Sequence, residues 1–281
     1  MSKHGRLLTK APEPEVEELG ARTDLAWSIA DDIPPGPYPR DSQFFFERVQ
    51  QLITRTATRG AEGRVLDVAC GLGSQLGPLR AQRWEAWGLD SSMALARHCR
   101  SGYIDHGAAP IVCATAEALP FRSRSFDRIV CQGSLDHFTQ PRAFMREVAR
   151  VLKPDGHAII GVSNYSSLSC RAGRWAHRFD ETNGAQADRR RNYWDLPPNH
   201  TFRGTYQVLR GLGEPDLELV ECRGVSLMWL FPAWTNLIEM LPRPIASSAL
   251  SVADRVAYHM PALADLVVSV WRPRSGTRDR D

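Results

Sequence analysis

Val65-Leu66-Asp67-Val68-Ala69-Cys70-Gly71-Leu72-Gly73-Ser74 carries a short apolar run into a glycine-rich turn, and a helical pattern from Gln75 to Gln82 follows it. Gly71 and Gly73 permit dihedrals closed to other residues and let a ligand approach the backbone at a helix N-terminus. Gly77 extends the pattern to G-x-G-x-x-x-G, which also suits a dinucleotide fold. Asp67 separates the two readings. Four residues before Gly71, its carboxylate would repel a pyrophosphate and attract a cationic group. Asp90, after Trp87-Gly88-Leu89 at the end of the next expected strand, stands where carboxylate oxygens hold a ribose diol.

Outward from this turn the rhythm is regular. Arg64 to Val68, Glu85 to Leu89, Ala109 to Cys113, Asp127 to Cys131 and His157 to Val162 read as short strands. Gln75–Gln82, Met93–His106 and Arg142–Leu152 read as helices between them, the last ended by Lys153-Pro154-Asp155-Gly156. Such alternation builds a parallel sheet covered on both faces. Upstream, Phe44, Phe45, Val49, Leu52 and Ile53 share one face of a helix from Asp41 to Arg59, with Asp41 or Ser42 as N-cap and Gly60 and Gly63 closing it. Residues 1–40 are polar and proline-broken, a flexible leader. Residues 163–199 form a polar insertion with Arg171, Arg174, Arg178 and the run Arg189-Arg190-Arg191. A helix near Thr201–Leu212, a strand Leu217–Val225, a second insertion over 226–262 and a strand Leu266–Trp271 complete one domain spanning 41–272, before a polar tail over 273–281.

Composition narrows the function. The 281 residues include 43% hydrophobic ones, enough for a sizeable core, and the formal charge is only +3. A near-neutral field without a separate basic module argues against nucleic acid as partner. The only lysines are Lys3, Lys10 and Lys153, so the other basic residues are arginine and lysine chemistry has almost nowhere to go. A P-loop motif is absent. The cysteines Cys70, Cys99, Cys113, Cys131, Cys170 and Cys222 make no C-x-x-C pair, so no structural metal is expected. Without a signal-type leader or an apolar run of roughly 18 residues, a cytoplasmic protein with free thiols and no membrane attachment is the expectation.

A ligand with a ribose, no phosphate and a positively charged amino-acid tail is S-adenosylmethionine. The sequence resembles the class I S-adenosylmethionine-dependent methyltransferases, particularly those acting on small molecules, over roughly 60–162 and more loosely over 200–225 and 264–272. The motifs occur in order: Val65 to Gly73, Gly88-Leu89-Asp90-Ser91-Ser92-Met93, Ala116-Glu117-Ala118-Leu119-Pro120-Phe121, Ser125-Phe126-Asp127-Arg128-Ile129-Val130, and Glu147 to Gly156. The resemblance implies an α/β, Rossmann-like, seven-stranded, mostly parallel sheet with its last strand antiparallel, helices on both faces, and helical or loop insertions forming a lid. It implies that Asp67, Ala69, Gly71 and Gly73 line the methionine side of the cofactor and that Asp90 holds the ribose. Ser91 and Met93 would flank the adenine, Ala116 and Glu117 would close its other edge, and Gln132 would face the cofactor. Two positions depart from the family: Ala69 replaces the usual glycine, a change that should be tolerated, and Thr115 replaces an aspartate that accepts from the adenine amine.

Methyl transfer is an in-line displacement whose activation is carried by the cofactor, so the protein aligns the acceptor and removes a proton. No metal is required. The loop Cys131-Gln132-Gly133-Ser134-Leu135-Asp136-His137-Phe138 follows the fourth strand at the edge where ligands gather, and it makes His137 the first candidate base, with Asp136 beside it and His200 second. The leader with Tyr38, the arginine insertion, and Met228, Trp229, Phe231 and Trp234 could cover the cleft around an apolar or aromatic small-molecule acceptor. The same aromatics equally suit core packing or a homodimer contact. Oxygen is the first-choice acceptor atom, ahead of carbon or nitrogen. Two alternatives stay open: a methyltransferase-like enzyme that binds the cofactor unspent and catalyses a cyclisation or rearrangement, and a nucleic-acid methyltransferase using the arginines.

Overall fold

The computed structural model describes residues 38–102, 109–182, 192–196 and 200–274. The leader up to residue 37, the Arg189-Arg190-Arg191 run and the tail from 275 lie outside them. The first helix, α1 (Arg40–Ala57), leads into β1 (Arg64–Val68), α2 (Leu76–Ala81), β2 (Glu85–Asp90), α3 (Met93–Gly102), β3 (Ile111–Cys113) and β4 (Phe126–Gln132). Then come α4 (Pro141–Val151), β5 (Leu152–Ser163), α5 (Leu168–Thr182), α6 (Tyr206–Arg210), β6 (Leu217–Val225), α7 (Pro232–Met240), α8 (Arg243–His259) and β7 (Leu266–Pro273).

The strands form one seven-stranded sheet in the order β3-β2-β1-β4-β5-β7-β6. Pairings from β3 through β5 are parallel, and β7 runs antiparallel to both β5 and β6. The chain order reverses between β1 and β4, which opens a crevice beyond their carboxyl ends. Apolar side chains on both faces explain the near-continuous hydrophobic strands. One face buries Phe144, Met145, Val148 and Trp271 with Leu66 and Ile129. The other buries Phe45, Val49, Leu52 and Ile53 of α1 with Val65, Val130 and Ile159.

Two local expectations are corrected. The α1 helix is capped by Pro39, not by Asp41 or Ser42, and neither side chain closes the helix end. Both are buried because they anchor the later insertion: Thr235 Oγ1 donates to Asp41 Oδ2 at 2.6 Å, and Trp229 Nε1 donates to Ser42 Oγ at 3.0 Å. The helix expected from Thr201 starts only at Tyr206, where the side chain of Thr205 accepts from Val208 N. Within the 163–199 insertion, residues 168–182 form the helix α5. Its apolar pattern is inverted: Trp175 is 64% exposed while Ser169 and Cys170 are buried, and Gly173 lies under Tyr193 and Trp194.

Candidate active site

The turn after β1 is a backbone cradle. Gly71 has φ +53° and Gly73 φ +78°, values that L side chains rarely adopt. A Cβ on Gly71 would meet nothing within 4 Å, so the backbone there is open to a ligand. Ala69 holds φ +56° without being glycine, which refines the expectation of easy tolerance: the residue fits but sits in a strained conformation.

Two buried carboxylates border the cradle. Asp67 is 3% exposed at the end of β1, and burial first, then the nearby Cys99 and Asp90, push its carboxyl well above the usual range. Asp90 ends β2. Its Oδ2 accepts from Gly71 N at 2.9 Å and its Oδ1 from Ser92 N at 2.8 Å, so the carboxylate spans the cradle and the start of α3. Burial raises its pKa against the lowering effect of those two hydrogen bonds. A cationic ligand would relieve the cost of both buried acids. The open glycine turn and the paired acids therefore fit S-adenosylmethionine.

The remaining expected contacts divide. Ser91 and Met93 lie at the β2–α3 junction, and Met93 is half exposed. Ala116 is buried in the core beside Leu119. Glu117 Oε1 accepts from Thr139 Oγ1 at 3.1 Å and Gln140 N at 3.4 Å, tying the loop after β3 to the start of α4. Gln132, at the end of β4, accepts from Gln75 Nε2, and Thr54 Oγ1 donates to Gln75 Oε1 at 3.1 Å. Gln75 was missed by sequence reasoning. It is buried at the end of the glycine turn and joins α1, the cradle and β4.

Beyond β4, His137 lies in a single 3₁₀ turn over Leu135–His137. Asp136 precedes it in sequence but pairs with His200, with Oδ2 to Nδ1 at 3.1 Å. The two imidazole rings stand edge to face, 4.3 Å between centroids. Asp136, His137 and His200 also offer ligand atoms that all lie within 4.8 Å of one another. The residues expected as lid aromatics pack on the body of the protein: Trp229 stacks on Phe45 of α1 at 3.8 Å, and Trp234 packs against the Ile238, Ala246 and Leu250 cluster. Among the described residues of the arginine insertion, Arg174 donates to the Tyr165 carbonyl at 3.3 Å.

Residues 66–160 match a family model described as a methyltransferase domain. YcgJ of Bacillus subtilis, named an uncharacterised methyltransferase, is 35% identical over 130 residues, covering 45% of this chain and 51% of that protein. Its crystal structure superposes with a TM-score of 0.51 at 19% identity, over 82% of this chain and 100% of the other. A demethylmenaquinone methyltransferase of Clavibacter sepedonicus is 32% identical over 107 residues, 38% of this chain and 44% of its own. The structure of the [4+2]-cyclase SpnF superposes with a TM-score of 0.55 at 19% identity, over 82% of this chain and 81% of that one, which speaks to the fold. The chain spans about half or less of the length of the curated relatives it matches. Over the segment from β1 to β5 the chain is thus similar to methyltransferase domains.

Proposed function

We propose that the protein transfers a methyl group from S-adenosylmethionine to a small-molecule acceptor, oxygen being the first-choice nucleophile. The observation that carries this reading is the open, positive-φ turn at Gly71 and Gly73 spanned by the buried Asp90 and flanked by Asp67. The demethylmenaquinone methyltransferase among the sequence relatives supports a small, apolar aromatic acceptor. When bound, the cofactor supplies an activated methyl group on sulfur. Asp67 would hold its cationic end and Asp90 its ribose hydroxyls, and Ser91, Met93, Ala116 and Glu117 would border the adenine. Gln132, fixed by Gln75, limits how the methionine end can turn. The loop after β4 and His200 then hold the acceptor side, where a histidine takes its proton.

The test is a thermal-shift titration with S-adenosylhomocysteine. A ligand that binds only the folded state raises Tm, by about 2.7 kcal/mol of stabilisation at 100-fold excess over Kd. The shift should be present in the parent protein and lost in Asp90→Ala. No shift in the parent protein, or tight nicotinamide dinucleotide binding in its place, would refute the proposal. Product analysis divides the readings further: a product one methyl heavier with S-adenosylhomocysteine formed supports transfer, and turnover without cofactor loss supports cyclisation.

A further inference from the structure

The insertion between β6 and β7 leaves and rejoins the sheet at its carboxyl edge: Val225 at the end of β6 pairs with Leu266 at the start of β7, and Leu266 pairs with Ser163 at the end of β5. Its helices α7 and α8 are held to the body by one buried row. Ile238 packs with Ala246 and Leu250, and Ala257 packs with Leu227 and Ala264. A second row on α8 is apolar as well. Ile245, Val252, Val256 and Met260 stand at i, i+7, i+11 and i+15, a single narrow stripe of the helix. With Leu237 and Met240 of α7 they are 42 to 84% exposed. Charge on the two helices has one sign left over. Their acids are both taken by arginines of α1, Glu239 by Arg40 at 3.4 Å and Asp254 by Arg48 at 2.5 Å. Arg243 and Arg255 are exposed and form no ion pair among the described residues.

We propose that this face docks on an anionic lipid surface, with α8 lying in the headgroup plane, its apolar stripe toward the acyl chains and Arg243 and Arg255 on lipid phosphates. An exposed apolar row gains free energy by leaving water at the boundary between headgroups and chains. Guanidinium groups beside it match phosphate oxygens in geometry and charge. The other exposed polar positions between the two arginines are Ser247, Ser248 and Ser251, small and uncharged, so nothing there repels an anionic surface. Charge also decides against a second copy of the chain as occupant. Packing α8 on its counterpart would gather arginines with no free carboxylate on either face to meet them, whereas anionic headgroups supply the charge that the face lacks. No helix among the described residues is long and apolar enough to cross a membrane. The contact proposed is peripheral and reversible, made by partial burial and electrostatic attraction together. An interfacial helix of this kind leaves no long apolar run in the sequence, and its stripe stands out only once the buried row beside it is known.

The test is co-sedimentation of the full chain with two kinds of vesicle, phosphatidylcholine alone and phosphatidylcholine mixed with phosphatidylglycerol. The chain should bind the mixed vesicles more tightly, and added salt should weaken that preference. Arg243→Gln and Arg255→Gln should each weaken binding to the mixed vesicles by about fivefold. Val252→Ser combined with Val256→Ser should weaken it by about tenfold or more, at high salt as at low. These side chains are exposed, so the variants should keep the Tm of the parent, which is measured on the same samples. A parent chain that fails to bind the mixed vesicles overturns the proposal, and that measurement needs no variant to fold. Equal binding to both kinds of vesicle overturns the role of the arginines, and unchanged binding in the serine variant overturns the assigned face. So does a parent chain that light scattering shows to be a dimer and that becomes monomeric in the serine variant, which would give the face to a second copy.

Discussion

Replacing Ala69 with glycine should stabilise the protein, because this residue occupies φ +56° inside the ligand turn. In the left-handed region a Cβ crowds the following carbonyl, at a cost of roughly 1–2 kcal/mol. Glycine removes that strain but gives the unfolded chain more freedom, which takes back about 0.4–1 kcal/mol. The balance is a gain of about 0.5–1 kcal/mol. At roughly 2–4 °C per kcal/mol for a chain of this size class, Tm should rise by about 1–4 °C. Ala69→Val is the opposing control, since a branched Cβ at positive φ is a marked outlier and should lower stability by about 2 kcal/mol or more. Chemical denaturation of the three proteins without ligand reads the effect. Affinity for S-adenosylhomocysteine is the second readout and should change little, because the strain is relieved equally in free and bound states. A glycine variant no more stable than the parent would refute the reasoning and show that the turn carries no strain at this residue.

Two further outcomes follow from the buried acids. Asp265 is 5% exposed at the start of β7, where it accepts from Ser169 Oγ and Trp229 N, and burial pushes its carboxyl up to about 7. A raised carboxyl pKa means that the native state binds the proton more tightly, so this group's contribution is favourable below the unfolded value and is lost as pH climbs through 7. From pH 5 to pH 8 the loss is about 2.5 kcal/mol; Asp265→Asn should flatten that part of the stability profile in urea titrations at the two pH values, and an unchanged slope would count against it. Asp67, raised more strongly by burial, should release a proton when a cation arrives beside it. Calorimetric titration with S-adenosylmethionine in buffers of different ionisation enthalpy should detect that release, and Asp67→Asn should abolish it.

The glycine turn and the two carboxylates beside it were legible in sequence because they are built from local chain. A strand ending in Asp67, the turn at Gly71 and Gly73, and a second strand ending in Asp90 are each contiguous, and the parallel pairing of Asp67 with Gly88 brings the strand ends together. Strands β1 and β6 fall where their patterns put them because each is an apolar run bounded by turn residues. The bounds of helix α5 inside the insertion were not legible, for a physical reason. Its buried side is made of Ser169, Cys170 and Gly173, small enough to admit Tyr193 and Trp194, so hydrophobic periodicity points the wrong way.

The cluster beyond β4 resisted sequence reading because its contacts join distant residues. Asp136 is covalently beside His137, and adjacency favoured that histidine, yet in a 3₁₀ turn neighbouring side chains point in different directions. The carboxylate turns to His200, delivered from beyond the 163–199 insertion, and Tyr165 reaches the same nitrogen from the loop after β5. Trp229 behaves similarly: an aromatic in a variable segment suggests a substrate contact, but its ring lies flat on Phe45 and its indole N–H is spent on Ser42. In both cases a side chain's role depends on which partner the fold supplies. A cradle made of backbone can be read from a single stretch of sequence, whereas the partners in a carboxylate–histidine pair cannot, and here the two lie on loops that only the sheet brings together.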